Sequence, residues 1–446
     1  VEKTRIDYLP DGERVLTTRY AYNPWGNASR VTRPDGSVEI DDYDPRLHIR
    51  VTGIEGGERL ETHLNAHHQP FRVNRVDALG QLTEVESRTY DGLGRCLSRL
   101  DVDKHRTDYS YDLFDRVVTT VQTPSDGSPS RQRTVAYAPG SSDQRVSTIS
   151  IDGRNVGART YDSLGRLTAQ SRGTVPATTW QYETGWTEPV AAVSGAGHRQ
   201  QWSYDKELGA PSSVAMAGHP DKLYRYDPIS GQPTFSESGT LKHEVFHDVN
   251  GYPQKEVQTV LGTPLTAYYA HSPGGRLLHH TSYEGQRSDF EYDANGRFFK
   301  MVAGAVVVEQ RYDGFARPEV LTTRYANTEV VTRVGYDALG REAERRFEQN
   351  GALLQVMSST YHPNSLLASR FVRDAAAQLV IGETFTYDAF LRLTTYRCEG
   401  REYPQDSLGR NIAGQQFSFD SLNNITRVVT SFADGTQDIS TRFFTD

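Results

Sequence analysis

The sequence predicts an all-β protein in which tandem segments of 20–26 residues, each folding as two antiparallel strands, build a curled or spiral β-sheet shell segment. Three observations carry that expectation. A Tyr-Asp-x-x-Gly-Arg segment recurs along all 446 residues, a second turn signal falls midway between its copies, and aromatic residues alternate at period two between the turns.

The clearest copies are Tyr90-Asp91-Gly-Leu-Gly94-Arg95, Tyr161-Asp162-Ser-Leu-Gly165-Arg166, Tyr292-Asp293-Ala-Asn-Gly296-Arg297 and Tyr336-Asp337-Ala-Leu-Gly340-Arg341. With the Asp as marker, degenerate copies extend the series through positions 23, 44, 65, 91, 112, 138, 162, 183, 205, 227, 248, 272, 293, 313, 337, 362, 388 and 420. Asn65, Ala138, Glu183, Ser272 and His362 are its weaker members. The last interval, of 32 residues, holds an additional half-copy, Asp406-Ser-Leu-Gly-Arg410. No linker or composition break interrupts the register, so residues 1–446 read as a single continuous array, with no separate catalytic, propeller or autoprotease core domain.

The midway turn signals are Pro34-Asp35-Gly36, Asp77-Ala-Leu-Gly80, Ser125-Asp126-Gly127, Asp152-Gly153, Gly197-His198, Gly218-His219 and Asn350-Gly351. Two turns per period imply two strands per repeat. Pairs such as Tyr109/Tyr111, Trp180/Tyr182, Trp202/Tyr204 and Phe290/Tyr292 place both rings on one face of a strand.

The motif has a local chemistry. An Asp side chain accepts from the amide two residues on, closing an Asx-type turn, and Gly supplies the positive φ that ends it. The aromatic residue before the Asp caps one strand and is expected to stack on its equivalents in neighbouring repeats. The Arg has three available partners: the Asp of its own turn, the Asp of the adjacent turn, or a ring face.

Composition restricts the function classes. A net charge of −8 argues against nucleic acid as a partner, since no basic stripe is available to neutralise phosphates. The longest apolar run, Met301 to Val308, is too short to span a bilayer, so membrane insertion by this segment is not expected. The N-terminus shows no signal-peptide pattern, and a chain starting at Val1 reads as a piece of a longer protein. Cys96 and Cys398 are 302 residues apart and read as packing residues. A hydrophobic content of 36% beside 25 Tyr, 17 Phe and 38 Gly fits many short strands better than a globular core.

Eighteen registers of two strands predict about 36 strands, which at about 4.8 Å each give a contour of roughly 170 Å. Wound once, that contour encloses a circle on the order of 55 Å across, walled by a band roughly 26 Å tall. A sheet so wide must curl, and a single winding makes a wall segment.

On these residues the chain resembles the YD-repeat, or Rhs (rearrangement hot spot), family, and within it the B and C components of bacterial Tc insecticidal toxins. The likeness runs through the Tyr-Asp-x-x-Gly-Arg copies and through Tyr403-Pro-Gln-Asp-Ser-Leu-Gly-Arg410, Phe417-Ser-Phe-Asp-Ser-Leu-Asn-Asn-Ile-Thr426 and Ala433-Asp-Gly-Thr436. The resemblance implies a structural shell, or cocoon, that encapsulates a cytotoxic polypeptide for delivery. Its implied partners are the remaining shell polypeptide, the enclosed toxin cargo and a pore-forming Tc component, all within a secreted or exported bacterial toxin complex. In the family the cocoon ends in an aspartyl autoprotease core marked by Asp-Pro-x-Gly-Leu. Here Tyr226-Asp-Pro-Ile-Ser-Gly231 echoes that motif, but it lies mid-chain with further repeats after it, so no self-cleavage is expected.

Two other function classes compete. Exposed aromatic rows and Gly turns also suit an adhesion or glycan-recognition scaffold, as in eukaryotic YD-repeat adhesion proteins. His243-Glu-Val-Phe-His247 matches the H-E-x-x-H signature of zinc hydrolases, which requires a helix to bring both imidazoles to one face. The repeat register passes straight through it, placing Asp248 at a marker position, so a strand entering a turn is expected. His67-His68 and His279-His280 read as neighbours on opposite faces of a strand, unsuited to shared ligation. No catalytic residues, cofactor or metal are therefore predicted.

Overall fold

A hairpin with two wet faces and short turns cannot bury an apolar side of its own, so each must extend the sheet left open by the one before it. A computed structural model of the chain describes residues 1–9 and 12–444, and among them 38 strands, from Glu2–Leu9 to Gln437–Thr441, form one sheet. Every strand pairs antiparallel with the next in sequence, from Glu2–Leu9 with Gly12–Tyr22 to Ile425–Phe432 with Gln437–Thr441. The fold is all-β. The eighteen marker positions fall in the turns after the even-numbered strands, which accounts for 36 strands, and one further strand lies at each end of the series. The half-copy at Asp406 closes its turn, with the Gly409 amide 3.0 Å from the Asp406 carbonyl oxygen. It adds one bridge, Gln405 with Asn411, and no strand pair.

A regular irregularity accompanies the turns. Just before most marker positions the pairing register slips by one residue, as between Ser110 and Tyr111, Thr160 and Tyr161, Glu291 and Tyr292, or Gly335 and Tyr336. Each slip is a β-bulge, which bends its strand and tightens the local twist.

Repeated at each hairpin, the bulges curl the sheet more tightly than the single winding expected from strand spacing. The turn after the ninth strand, holding Asp103, meets the turn after the thirty-second, holding Asn364. Ala78, after the seventh strand, meets Ala338, after the thirtieth. Both pairs differ by 23 strands, so one winding has a contour on the order of 110 Å and is roughly 35 Å across. The expected circle of about 55 Å is thus corrected: the chain completes one winding and begins a second that stacks on the first. Because 23 is odd, the edge carrying the midway turns of the first winding rests on the edge carrying the marker turns of the second.

The result is a single-layer wall. Its accessible surface is 26127 Å², against about 17,000 Å² for a compact monomer of this mass. Barrels of 16–18 strands already leave an aqueous channel, so side chains cannot fill a winding of this breadth. Among the described residues, the largest fully buried side chains are Val380, Asp7 and Ser272. Two of those three are polar, and both lie where the windings meet.

Candidate functional site

Two assemblies of side chains are built by this fold: a ladder that runs along the marker turns, and a seam between the windings. In the ladder each marker Asp satisfies one turn completely. Asp337 Oδ1 accepts from the Leu339 and Arg341 amides, both at 2.9 Å, while Oδ2 accepts from Arg341 Nε at 2.7 Å. The Gly340 amide donates to the Asp337 carbonyl oxygen at 2.9 Å, with Gly340 at φ +74°. Asp91 with Leu93 and Arg95, Asp162 with Leu164 and Arg166, and Asp293 with Asn295 and Arg297 repeat the arrangement. Their Gly94, Gly165 and Gly296 all have positive φ. Hydrogen bonds from the Arg95 and Arg166 amides hold the carboxyls of Asp91 and Asp162 below their ordinary values.

The aromatic and Arg positions connect one turn to the next. Tyr90, Tyr161, Tyr292 and Tyr336 donate their hydroxyls to the carbonyl oxygens of Pro70, Val146, Leu277 and Pro318, at 2.6–2.9 Å. Desolvation pushes the phenols of Tyr90, Tyr292 and Tyr336 up. The guanidinium groups of Arg95, Arg166, Arg297 and Arg341 lie over the rings of Tyr111, Tyr182, Tyr312 and Tyr361, 4.4–5.1 Å from the centroids. This corrects the expected ring-on-ring stacking. Equivalent rings are two strands, or about 10 Å, apart, beyond the 4.5–7 Å reach of aromatic pairs. A guanidinium pinned edge-on by its own Asp fills that space. Where the Arg position is occupied by Tyr252, a ring does take its place, 5.4 Å from His271.

Asp337→Ala is expected to cost about 2–3 kcal/mol in equilibrium urea unfolding, since it takes the carboxylate away from a guanidinium and leaves two amides without their acceptor. Asp337→Asn should cost less, because Asn65 makes the same two amide bonds in its own turn. Equal losses in both variants would mean that the acceptor geometry is unimportant.

The seam was not legible as a site. Asp7, 0% exposed, accepts from Ser272 Oγ at 3.0 Å and from the Gly274 amide at 2.9 Å, and it pairs with Arg276. Asn364 Nδ2 donates to Asp103 Oδ2 at 2.8 Å, and Arg75 Nη2 donates to the Pro363 carbonyl oxygen at 2.9 Å. Arg131 donates to Asn423 Oδ1 at 2.9 Å while lying 4.5 Å from the Phe390 ring centroid. Phe315 packs over Gly56 and Gly57. One signal for the Asp7 latch was present in the sequence: Ser272 stands at a marker position, so Arg276 lacks the carboxylate that its turn would ordinarily supply. The carboxylate comes from the first winding instead, 269 residues away.

The competing motifs fall into place around this frame. His243 and His247 lie in the strand Leu241–His247, where a separation of four residues is about 13 Å. Asp248 closes the following turn by accepting from the Asn250 and Tyr252 amides. Among the described residues no group of three or more His, Cys, Asp or Glu side chains is arranged to hold a metal ion. His279 and His280 are adjacent in the strand Leu277–Thr281, and the His280 ring stacks on Tyr269 at 4.8 Å. His67 and His68 are corrected: they sit within a marker turn, where His68 adopts φ +58° and its Nδ1 lies 3.0 Å from the Tyr43 hydroxyl. Asp227 accepts from the Ile229 and Ser230 amides and from Ser230 Oγ, which hold its carboxyl below the ordinary range. It is a turn former like its equivalents. Cys96 and the buried Cys398 are free thiols, both pushed up by desolvation.

No family model matches the chain, and no curated protein matches it in sequence. Solved structures do. The pore form of a Photorhabdus luminescens Tc holotoxin carrying a TccC3 mutation superposes with a TM-score of 0.77 at 12% identity, covering 99% of this chain and 26% of that one. A TcdB2-TccC3 crystal structure without its hypervariable C-terminal region gives 0.71 at 11% identity, covering 99% of this chain and 27% of that one. TcdB2-TccC3 itself gives the same values. The chain thus spans about a quarter of the length of these neighbours, and at such identities the likeness is one of fold: an Rhs-repeat shell of the Tc type.

Proposed function

We propose that the chain is a wall segment of a hollow β-shell which, together with further shell polypeptide, encloses a cytotoxic polypeptide for delivery by an exported bacterial toxin complex with a pore-forming component. The carrying observation is the single-layer winding of 23 strands per turn that seals against its own second turn. Such a wall has a lumen wider than side chains can fill, and its interior surface is continuous because no strand edge opens between the windings. In this reading the chain itself performs no catalysis and does not cleave itself: the carboxylates of Asp91, Asp162, Asp293 and Asp337 close turns, and the Arg of each turn pairs with its Asp and lies over a ring.

A ligand-recognition scaffold is less well supported. A glycan-binding platform needs free ring faces, and in the ladder the rings of Tyr111, Tyr182, Tyr312 and Tyr361 are covered by guanidinium groups. The shell reading is tested by small-angle scattering and limited proteolysis of the purified chain. The expected result is a pair-distance distribution with an interior deficit and a single protease-resistant body. Release of several independently folded fragments of ordinary domain size, or a compact scattering profile, would overturn it.

A further inference from the structure

The seam holds a cavity whose charge runs against that of the chain. The protein carries a net charge of −8. Yet the half-open space of about 390 Å³ beside Asp103 and Asn364 is lined by four guanidinium groups, of Arg75, Arg99, Arg106 and Arg131, against two carboxylates, of Asp101 and Asp103. Both carboxylates are engaged. Asp101 accepts from the Asp103 and His105 amides at 3.0 and 2.9 Å, and Asp103 accepts from Asn364. Glu86 and Asp108, the partners of Arg99 and Arg106, do not line the space.

Two of the guanidinium groups have no close counter-charge. The half-buried Arg131 donates to Gln122 Oε1 and Asn423 Oδ1, both neutral amides at 2.9 Å, and makes no ion pair among the described residues. Phe390 of the second winding covers one of its faces. Burial, and after it the like charge of Arg392 across the seam, hold the Arg131 guanidinium below its ordinary value. Arg75, with a side chain 15% exposed, reaches Glu58 only at 4.0 Å. His105 Nδ1 accepts from the Ser125 amide at 3.0 Å, so its Nε2 carries the ring proton and is a further donor. A desolvated charge without a partner is costly, and a guanidinium matches phosphate oxygens two at a time. The volume falls within the roughly 300–1,000 Å³ of small-ligand sites.

We propose that this cavity binds a multivalent phosphate-type oxyanion between Arg131 and Arg75, with His105 as a third donor, and that the bound anion fastens the second winding to the first. Arg131 and Arg75 belong to the first winding, and Arg392 and Phe390 to the second. An anion on Arg131 therefore removes the repulsion that Arg131 and Arg392 exert across the seam. The site is independent of any cargo and is built from the interior of the chain, away from both of its ends.

Isothermal titration calorimetry of the full chain with pyrophosphate, at an ionic strength held constant with chloride, tests this. The expected result is saturable binding that weakens at least about tenfold in Arg131→Gln. Arg131→Lys keeps the charge without the planar fork, so its loss should be smaller. With pyrophosphate bound, amide exchange should slow at residues 363–366 and 388–392 and stay unchanged in the turns at Asp162 and Asp205. Absence of saturable binding overturns the proposal, as does parental affinity in both Arg131 variants, or slowing that chloride alone reproduces. A chain that scatters as a hollow body but binds no pyrophosphate would overturn the anion site while leaving the shell reading intact.

Discussion

Asp7→Ala is expected to detach the first two strands from the second winding. Asp7 is fully buried and is held by Ser272, Gly274 and Arg276. Removing one partner of a buried ion pair costs about 3–5 kcal/mol, because the remaining charge keeps its desolvation cost without its counter-charge. In a sheet whose strands touch mainly their neighbours in sequence, the loss should stay local. Amide exchange should therefore accelerate at residues 2–9 and 272–276 while the strands of the first winding opposite them stay protected. Uniform acceleration along the chain would mean that the seam is coupled to global unfolding.

Acid should act on the same latch in a definite direction. Burial pushes the Asp7 carboxyl up, but hydrogen bonds from Ser272, Arg276 and the Gly274 amide bring it below its ordinary value overall. A folded value below the unfolded one stabilises the protein above the ordinary carboxylate range, and that stabilisation is lost as pH falls through the depressed value. The seam should hold at neutral and mildly acidic pH and open under strong acid, first at the Asp7 end. Exchange that accelerates there already in mildly acidic buffer would contradict this.

Gly296→Val is expected to be strongly damaging, and Gly285→Val separates its two causes. Gly285 lies at φ +82° in open space, so valine there meets backbone strain alone, about 1–3 kcal/mol. Gly296 lies at φ +73°, and a Cβ there would also meet Leu16 Cδ1 of the first winding at 3.1 Å and the Arg276 guanidinium. The urea midpoint should fall further for Gly296→Val, by an additional ~1 kcal/mol or more from overpacking. Equal losses would remove the seam from the account. The choice of a β-branched residue matters, because the left-handed position is not reserved for glycine. Ala316, Ser365 and Leu391 occupy it in their own turns, whereas no described Val, Ile or Thr does.

The repeat register was legible because its determinants are local. An Asp reaches the amides two and four residues on, a Gly or small residue takes the left-handed position, and alternation assigns ring faces. Those rules placed the turns at Asp91, Asp162, Asp293 and Asp337, kept His243 and His247 in a strand, and made Tyr226-Asp-Pro-Ile-Ser-Gly231 an ordinary turn. The number of strands was legible to within the two end strands, since each marker turn joins two.

The curl and its consequences were not. The bulge accompanies the motif, but how far it bends the sheet is set by the pairing between two strands, and the accumulated bend decides that a winding closes after 23 strands. Only that closure brings Asp7 to Arg276, Arg131 to Phe390 and Asn364 to Asp103, across separations of 259 to 269 residues that no local pattern can encode. The Arg-over-ring ladder lies between the two cases: its members were visible, but their order depended on a spacing of two strands that the sheet alone supplies. The sequence by itself determined the hairpin, its turns and its repetition, because those follow from hydrogen bonds spanning a few residues. The tertiary structure decided the diameter and the seam, because these depend on a small bend summed over many strands.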